Sequence, residues 1–187
     1  MTPRERWNAV WHYQPVDHVP DIEFGYWDDT LRRWHAEGLP EWVTDNGKAD
    51  RFFGFERRGG VPANVGLLPG FEARVLEEDE RHRVIVDENG AKHVLFKDGH
   101  SSIPHYLEFA LKSREDWARF RERLDPSTPG RFPDDWEEVK TRLAAADHPV
   151  GIGLGSLYGV PRNWMGFEGA AMMMHDDPAL MQRSWRR

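Results

Sequence analysis

An α/β fold with parallel strands covered by helices is what this chain predicts, and three observations carry the expectation. Apolar residues recur at helical spacing in several segments. Short apolar runs fall between those segments, so that helices and strands alternate along the chain. Between residues 73 and 96 the period changes, and three short runs in succession predict a small antiparallel hairpin excursion.

The first helix is signalled by Thr2-Pro3-Arg4-Glu5: a capping threonine, proline at the first helical position and a glutamate completing a capping box. Trp7, Val10 and Trp11 share one face, which predicts burial along it. Pro15 and Pro20 end the helix, and Val19 to Phe24 reads as a first strand that closes at Gly25-Tyr26-Trp27. Asp28-Asp29-Thr30 can cap a second helix carrying Leu31, Trp34 and His35, with Gly38 as its stop. A third helix is expected from Pro40 to near Asn46-Gly47. Residues 48–71 read as irregular, with loop signals at Gly59-Gly60 and Pro62.

The excursion follows. Its strands are Ala73 to Leu76, Arg83 to Val86 and His93 to Phe96, with Glu77 to Glu80 in the first turn. Asn89-Gly90 predicts a type I′ turn, because both residues tolerate positive φ. Helices return after Ser113, with Trp117, Phe120 and Leu124 on one face, and after Pro133-Asp134-Asp135, with Trp136, Val139 and Leu143 spaced for burial. Val150-Gly151-Ile152-Gly153-Leu154-Gly155 reads as a buried strand whose glycines allow close approach of another backbone or of a ligand. Met172-Met173-Met174 is expected to fill core gaps on its helix, and Asp177-Pro178 opens a final helix.

Composition narrows the function classes. The 187 residues suffice for one domain with a hydrophobic core, and a net charge of −7 lacks the basic footprint of a nucleic-acid binder. Arg183, Arg186 and Arg187 make only a small basic tail. No apolar run is long enough for a membrane span, and the polar start is unlike a signal peptide. With no cysteine there is no disulfide, thiol nucleophile or thiolate metal site in these residues, and a cytoplasmic, reducing location is the expectation. Nine tryptophans are many for this length, and most are expected to anchor helices.

Several motifs, in this order, resemble uroporphyrinogen-decarboxylase-like proteins. They are Met1-Thr2-Pro3-Arg4-Glu5-Arg6-Trp7, Val16-Asp17-His18-Val19-Pro20, Phe53-Gly54-Phe55-Glu56 and Leu68-Pro69-Gly70-Phe71-Glu72. Gly155-Ser156-Leu157-Tyr158-Gly159, Arg162, Trp164 to Gly169 and Asp176-Asp177-Pro178-Ala179-Leu180 complete the set. The resemblance implies a (β/α)8 barrel and one of two chemistries. One is cofactor-free decarboxylation of uroporphyrinogen. The other is methyl transfer from a methylated corrinoid protein to a thiol, with zinc held by a histidine and two cysteines.

Three departures from the decarboxylase pattern favour methyl transfer. Where that enzyme has an Arg-Gln-Ala-Gly-Arg clamp for carboxylates, this chain has Glu23-Phe24-Gly25-Tyr26-Trp27. An expected aspartate falls near Asn64, and an expected tyrosine near Trp164 or Met165.

In a barrel, chemistry gathers at the carboxyl ends of strands. Two such places emerge. Glu23 is a candidate catalytic residue with Tyr26 and Trp27 binding substrate; otherwise Glu23 simply partners a basic neighbour. Tyr158 is the second catalytic candidate, with Ser156 and Arg162 binding substrate; otherwise Arg162 pairs with Glu168 or another acid. Asn64, where the resemblance implies the end of a second strand, is a further substrate-binding candidate. His100, His105 and His175 are weaker candidates, because their spacing makes no metal motif. The glycine-rich run is expected to be an inner, parallel stave whose far end faces the same pocket as Glu23.

A whole barrel needs roughly 250 residues, so the chain reads as a single, incomplete domain over 1–187: a truncated product, half of a split enzyme, or a partial barrel that dimerises. No cofactor is expected on this chain alone. Zinc and a corrinoid protein are expected for the complete form; a small-molecule substrate is the expected ligand, and a second copy or a complementary half-barrel the expected partner of this partial chain, with neither nucleic acid nor membrane among them.

Overall fold

A computed structural model describes residues 1–97 and 103–185, the side chain of Trp185 excepted. His100, Arg186 and Arg187 lie outside the described residues. In chain order the elements are α1 (Pro3–Trp11), α2 (Asp28–Ala36), α3 (Asn46–Phe53), β1 (Gly59–Gly60), β2 (Arg74–Glu78), β3 (His82–Val86) and β4 (Lys92–Phe96). Then follow β5 (His105–Glu108), α4 (Arg114–Arg123), α5 (Trp136–Ala144), β6 (Val150–Gly151), α6 (Gly159–Asp176) and α7 (Pro178–Trp185). The fold is mixed α/β. β1 and β6 pair in parallel, and β2-β3-β4-β5 form an antiparallel sheet. Among the described residues no barrel closes, and no helix is long and apolar enough to cross a membrane.

The chain divides into two compact units. The first comprises Met1–Pro62 and Asp134–Gly153. Its opening helix is capped as the sequence predicts: Thr2 Oγ1 accepts from the Glu5 N–H at 3.2 Å while Glu5 accepts from the Thr2 N–H at 2.8 Å. The buried face of α1 is a different one. Trp11 is 68% exposed and Val10 is exposed, whereas Arg6 is only 5% exposed. Arg6 can be buried because its guanidinium grips both Asp17 oxygens, at 2.6 and 2.8 Å, and Glu56 at 2.6 Å.

Three further expectations fail in this unit. Val19 to Phe24 forms no strand; its one cross-chain backbone bond among those described carries the Glu56 N–H to the Asp21 carbonyl. The third helix begins where it was expected to end. Asp45 caps it by accepting from the Lys48 N–H, and Gly54 closes it in the left-handed conformation. An Asp before Asn-Gly is a helix start as readily as a turn. The third failure concerns Gly59-Gly60, which is strand rather than loop, paired with Val150-Gly151. The small core gathers Leu31, Val43 and Ala49, with Tyr26, Trp34 and Leu39 against it.

The second unit comprises Ala63–Pro133 and Leu154–Arg187. The three expected strands are present, with Glu77 and Glu78 inside β2 rather than in the turn, and β5 adds an unforeseen fourth. The Asn89-Gly90 turn is not type I′, since only Gly90 has positive φ, at 79°. Gly90 N–H donates to Asp87 O and Asp87 N–H to Ala91 O, so a type I turn is followed by a left-handed glycine. The Asp87 carboxylate stabilises this alternative by accepting from the N–H groups of Asn89 and Ala91.

Helices α4, α6 and α7 bury Trp117, Phe120, Trp164, Met165, Leu180 and Met181 in one core. α6 is broken at Gly166 (φ 78°), where a side chain would collide with the Phe109 ring. Of the three methionines only Met173 packs on the core, with Met172 and Met174 exposed. Tryptophan burial is also less general than expected. Trp117 and Trp164 are buried, but Trp11, Trp27 and Trp42 are exposed.

Candidate functional site

Glu23, Tyr26 and Trp27 stand in the first unit on the segment that leads into α2. Glu23 turns back on the chain, its carboxylate accepting from the Phe24 N–H at 2.6 Å. Trp27 is the capping position of α2 and is exposed. Tyr26 is held from two directions. Its N–H donates to Asn46 Oδ1 at 3.0 Å, and its ring meets Trp34 at 5.2 Å and Phe53 at 6.1 Å. The turn depends on Gly25 (φ 130°), since a Cβ there would meet the Asn46 amide.

Electrostatically this is an acidic place. Burial first, and then the charges of Asp50, Glu23 and Asp21, push the Tyr26 phenol above its ordinary range. At neutral pH Tyr26 is therefore an O–H donor rather than a base. Asp50 Oδ1 is buried without a hydrogen-bond partner among the described residues.

The second place lies in the other unit. Ser156 Oγ accepts from the Gly159 N–H at 2.6 Å and so helps to start α6. The Tyr158 hydroxyl donates to the Phe167 carbonyl at 3.2 Å. Arg162 is exposed and reaches Asn163 at 3.1 Å; among the described residues it makes no ion pair with Glu168. Asn64 folds onto its own loop, Oδ1 accepting from the Gly66 N–H at 3.0 Å. His105 is exposed on β5, and His175 is exposed beside Asp176. Among the described residues no three His, Cys, Asp or Glu side chains converge as metal ligands.

The glycine-rich run is parallel to β1, as expected, but only Val150–Gly151 is strand. It is not buried: Ile152 and Leu154 are 46% and 54% exposed. A groove follows its flank in the first unit, lined by Ile22 but not by Glu23 among the described residues.

Sequence reasoning missed the buried polar residues. Arg6 is one; its partner Glu56 also accepts from His18 Nε2 at 2.8 Å. His148 is 7% exposed, bonded through Nδ1 to Asp147 at 3.0 Å, and it requires Gly59, whose Cβ would come within 2.9 Å of Nε2. Arg6 lies within a predicted helix and was hidden by the louder tryptophan spacing; His148 had no local signal.

The Arg6 network gives the first unit an acid-sensitive support. The guanidinium, with help from the His18 N–H, holds the Asp17 carboxyl well below the usual carboxylate range. A depressed folded value means that the contribution is complete above the unfolded pKa of about 3.9 and is lost as pH falls through the folded value. Asp17→Asn is expected to lower the urea midpoint at pH 7, with the deficit shrinking steadily below about pH 4. A deficit independent of pH would show that the charge is not what matters.

Compared with family models, with curated proteins and with solved structures, the chain matches none.

Proposed function

We propose that this chain is the amino-terminal part of a uroporphyrinogen-decarboxylase-like (β/α)8 barrel whose complete form carries out corrinoid-linked methyl transfer. The acidic setting of Tyr26 is the observation that carries the choice of chemistry. Asp50, Glu23 and Asp21 already oppose ionisation of one phenol. A polycarboxylate such as uroporphyrinogen would meet the same repulsion, with no arginine clamp in that segment to offset it. A neutral or cationic substrate group would be held instead, with Tyr26 donating and Glu23 accepting hydrogen bonds.

Support for the barrel comes from β1 and β6. Parallel pairing demands a long crossover, and the connection from Gly60 to Val150 supplies one. Zinc in such a transfer holds the acceptor thiol as a thiolate. Its family donor set of one histidine and two cysteines does not fit this chain, which has no cysteine. A methyl-corrinoid protein and a small thiol are the partners this reading implies.

A second reading, a binding half completed by another copy or by a complementary half-barrel, is favoured by the apolar exposure of Ile152, Leu154 and Leu157. One assay separates the readings. The complete form of the protein is incubated with a methylated corrinoid protein, zinc and coenzyme M, and in parallel with uroporphyrinogen. Methyl transfer is the expected result. Coproporphyrinogen formation without transfer restores the decarboxylase, whereas stable co-elution with a partner and no turnover favours the binding half.

A further inference from the structure

The groove beside β1 and β6 has a volume of about 510 Å3, inside the roughly 300–1,000 Å3 range of small-molecule sites. None of the candidate site residues lines it. Its lining combines three independent features. Gly60, Gly151 and Gly153 present bare backbone: a Cβ added at any of them meets nothing within 4 Å. None of the three has a left-handed φ, so backbone conformation does not demand glycine there. The missing side chains are what open the groove.

The second feature is Arg58, the one charged side chain among the described residues of the lining. It is exposed and makes no hydrogen bond or ion pair with any described residue. Among the described residues no carboxylate lines the groove to neutralise it. Third, half-buried Trp7 and Ile22 furnish an aromatic and an aliphatic wall.

We propose that this groove binds a flat aromatic carboxylate. The ring lies over the glycine backbone against Trp7, and the carboxylate pairs with Arg58. A guanidinium fork matches a carboxylate in two parallel hydrogen bonds. Bare backbone admits a ring closer than any side chain would allow. The inference goes beyond the barrel reading and does not rest on it, since it uses neither Glu23 nor a corrinoid.

The test is calorimetric titration of the protein with 2-naphthoate, and with 2-naphthamide as its uncharged counterpart. Arg58→Met is expected to weaken naphthoate binding about tenfold or more while leaving naphthamide unchanged. Gly151→Val, which has room for its side chain, is expected to fill the groove and remove binding of both compounds with the circular dichroism spectrum intact. If that variant does not fold, Gly60→Val on the paired strand is read in its place. No binding of naphthoate at millimolar concentration, or unchanged affinity in Arg58→Met and the valine variant, overturns the proposal.

Discussion

Arg131→Met is expected to destabilise the second unit by about 3 kcal/mol or more, because charge-assisted hydrogen bonds are worth about 1.5–3 kcal/mol each and several are lost together. Arg131 is 7% exposed. Its Nε donates to Asp125 O at 2.7 Å, Nη1 to Asn64 O at 2.9 Å and Gly66 O at 3.0 Å, and Nη2 to Arg123 O at 2.7 Å. Its own carbonyl accepts from the Asn64 N–H at 2.7 Å. One side chain thus satisfies four carbonyls from the end of α4 and two loops, none of them served by a regular ladder. Methionine keeps most of the stem's volume but donates nothing, which leaves the Asn64 and Gly66 carbonyls without that donor, whereas Asp125 O keeps the Thr128 N–H at 3.2 Å and Arg123 O the Leu68 N–H at 2.8 Å. Lysine is expected to recover only part of the loss, since an ammonium cannot span that fork. Urea unfolding measures both variants, and a shift below about 0.5 kcal/mol, the size of an ordinary surface change, would contradict the carbonyl-clamp account.

Phe120→Ala is expected to cost about 3–5 kcal/mol, the range for emptying a fully buried aromatic site. Phe120 has no exposed surface. Its ring sits 5.0 Å from that of Phe71 and 5.2 Å from that of Trp164, joining α4 to the chain before β2 and to α6. Because all three come from separate segments, the cavity cannot be closed by one local shift. Phe120→Leu is expected to cost clearly less, with the near-ultraviolet circular dichroism of Trp164 reporting the change. Equal midpoints for Phe120→Ala and the parent would mean that this cluster is not the core.

These two residues illustrate what a sequence makes legible. Phe120 stands three residues after Trp117 behind a serine cap, so helical spacing alone places it inward. Arg131 lies in the Asp125 to Pro133 segment, where proline and glycine erase any period, and its partners are carbonyls, which every residue has. Capping followed the same division. Thr2 and Ser113 act over three residues and were legible. The start of α3 was not, because Asp45-Asn46-Gly47 is equally good turn chemistry and the choice is made by tertiary burial of Val43 and Ala49.

For the candidate sites, sequence placed residues near strand ends but could not orient them. Ser156, Tyr158 and Asn64 spend their polar atoms on nearby backbone, a competition that short polar side chains often win. Tyr26 lies in an acidic setting because Asp50, on α3, adds its charge to those of Asp21 and Glu23. That Arg58 has no partner among the described residues could not be read at all, since an absent partner has no sequence signature.

The charges on β2 have a consequence for the antiparallel sheet. Arg74, Glu77 and Glu78 stand along its outer strand, with Glu78 tied inward to Arg83 and Lys97. Any strand added on that flank would strip water from these groups and loosen the inward ties, so the ladder has a guarded last rung. β1 and β6, built of three glycines and a valine, carry no such guard.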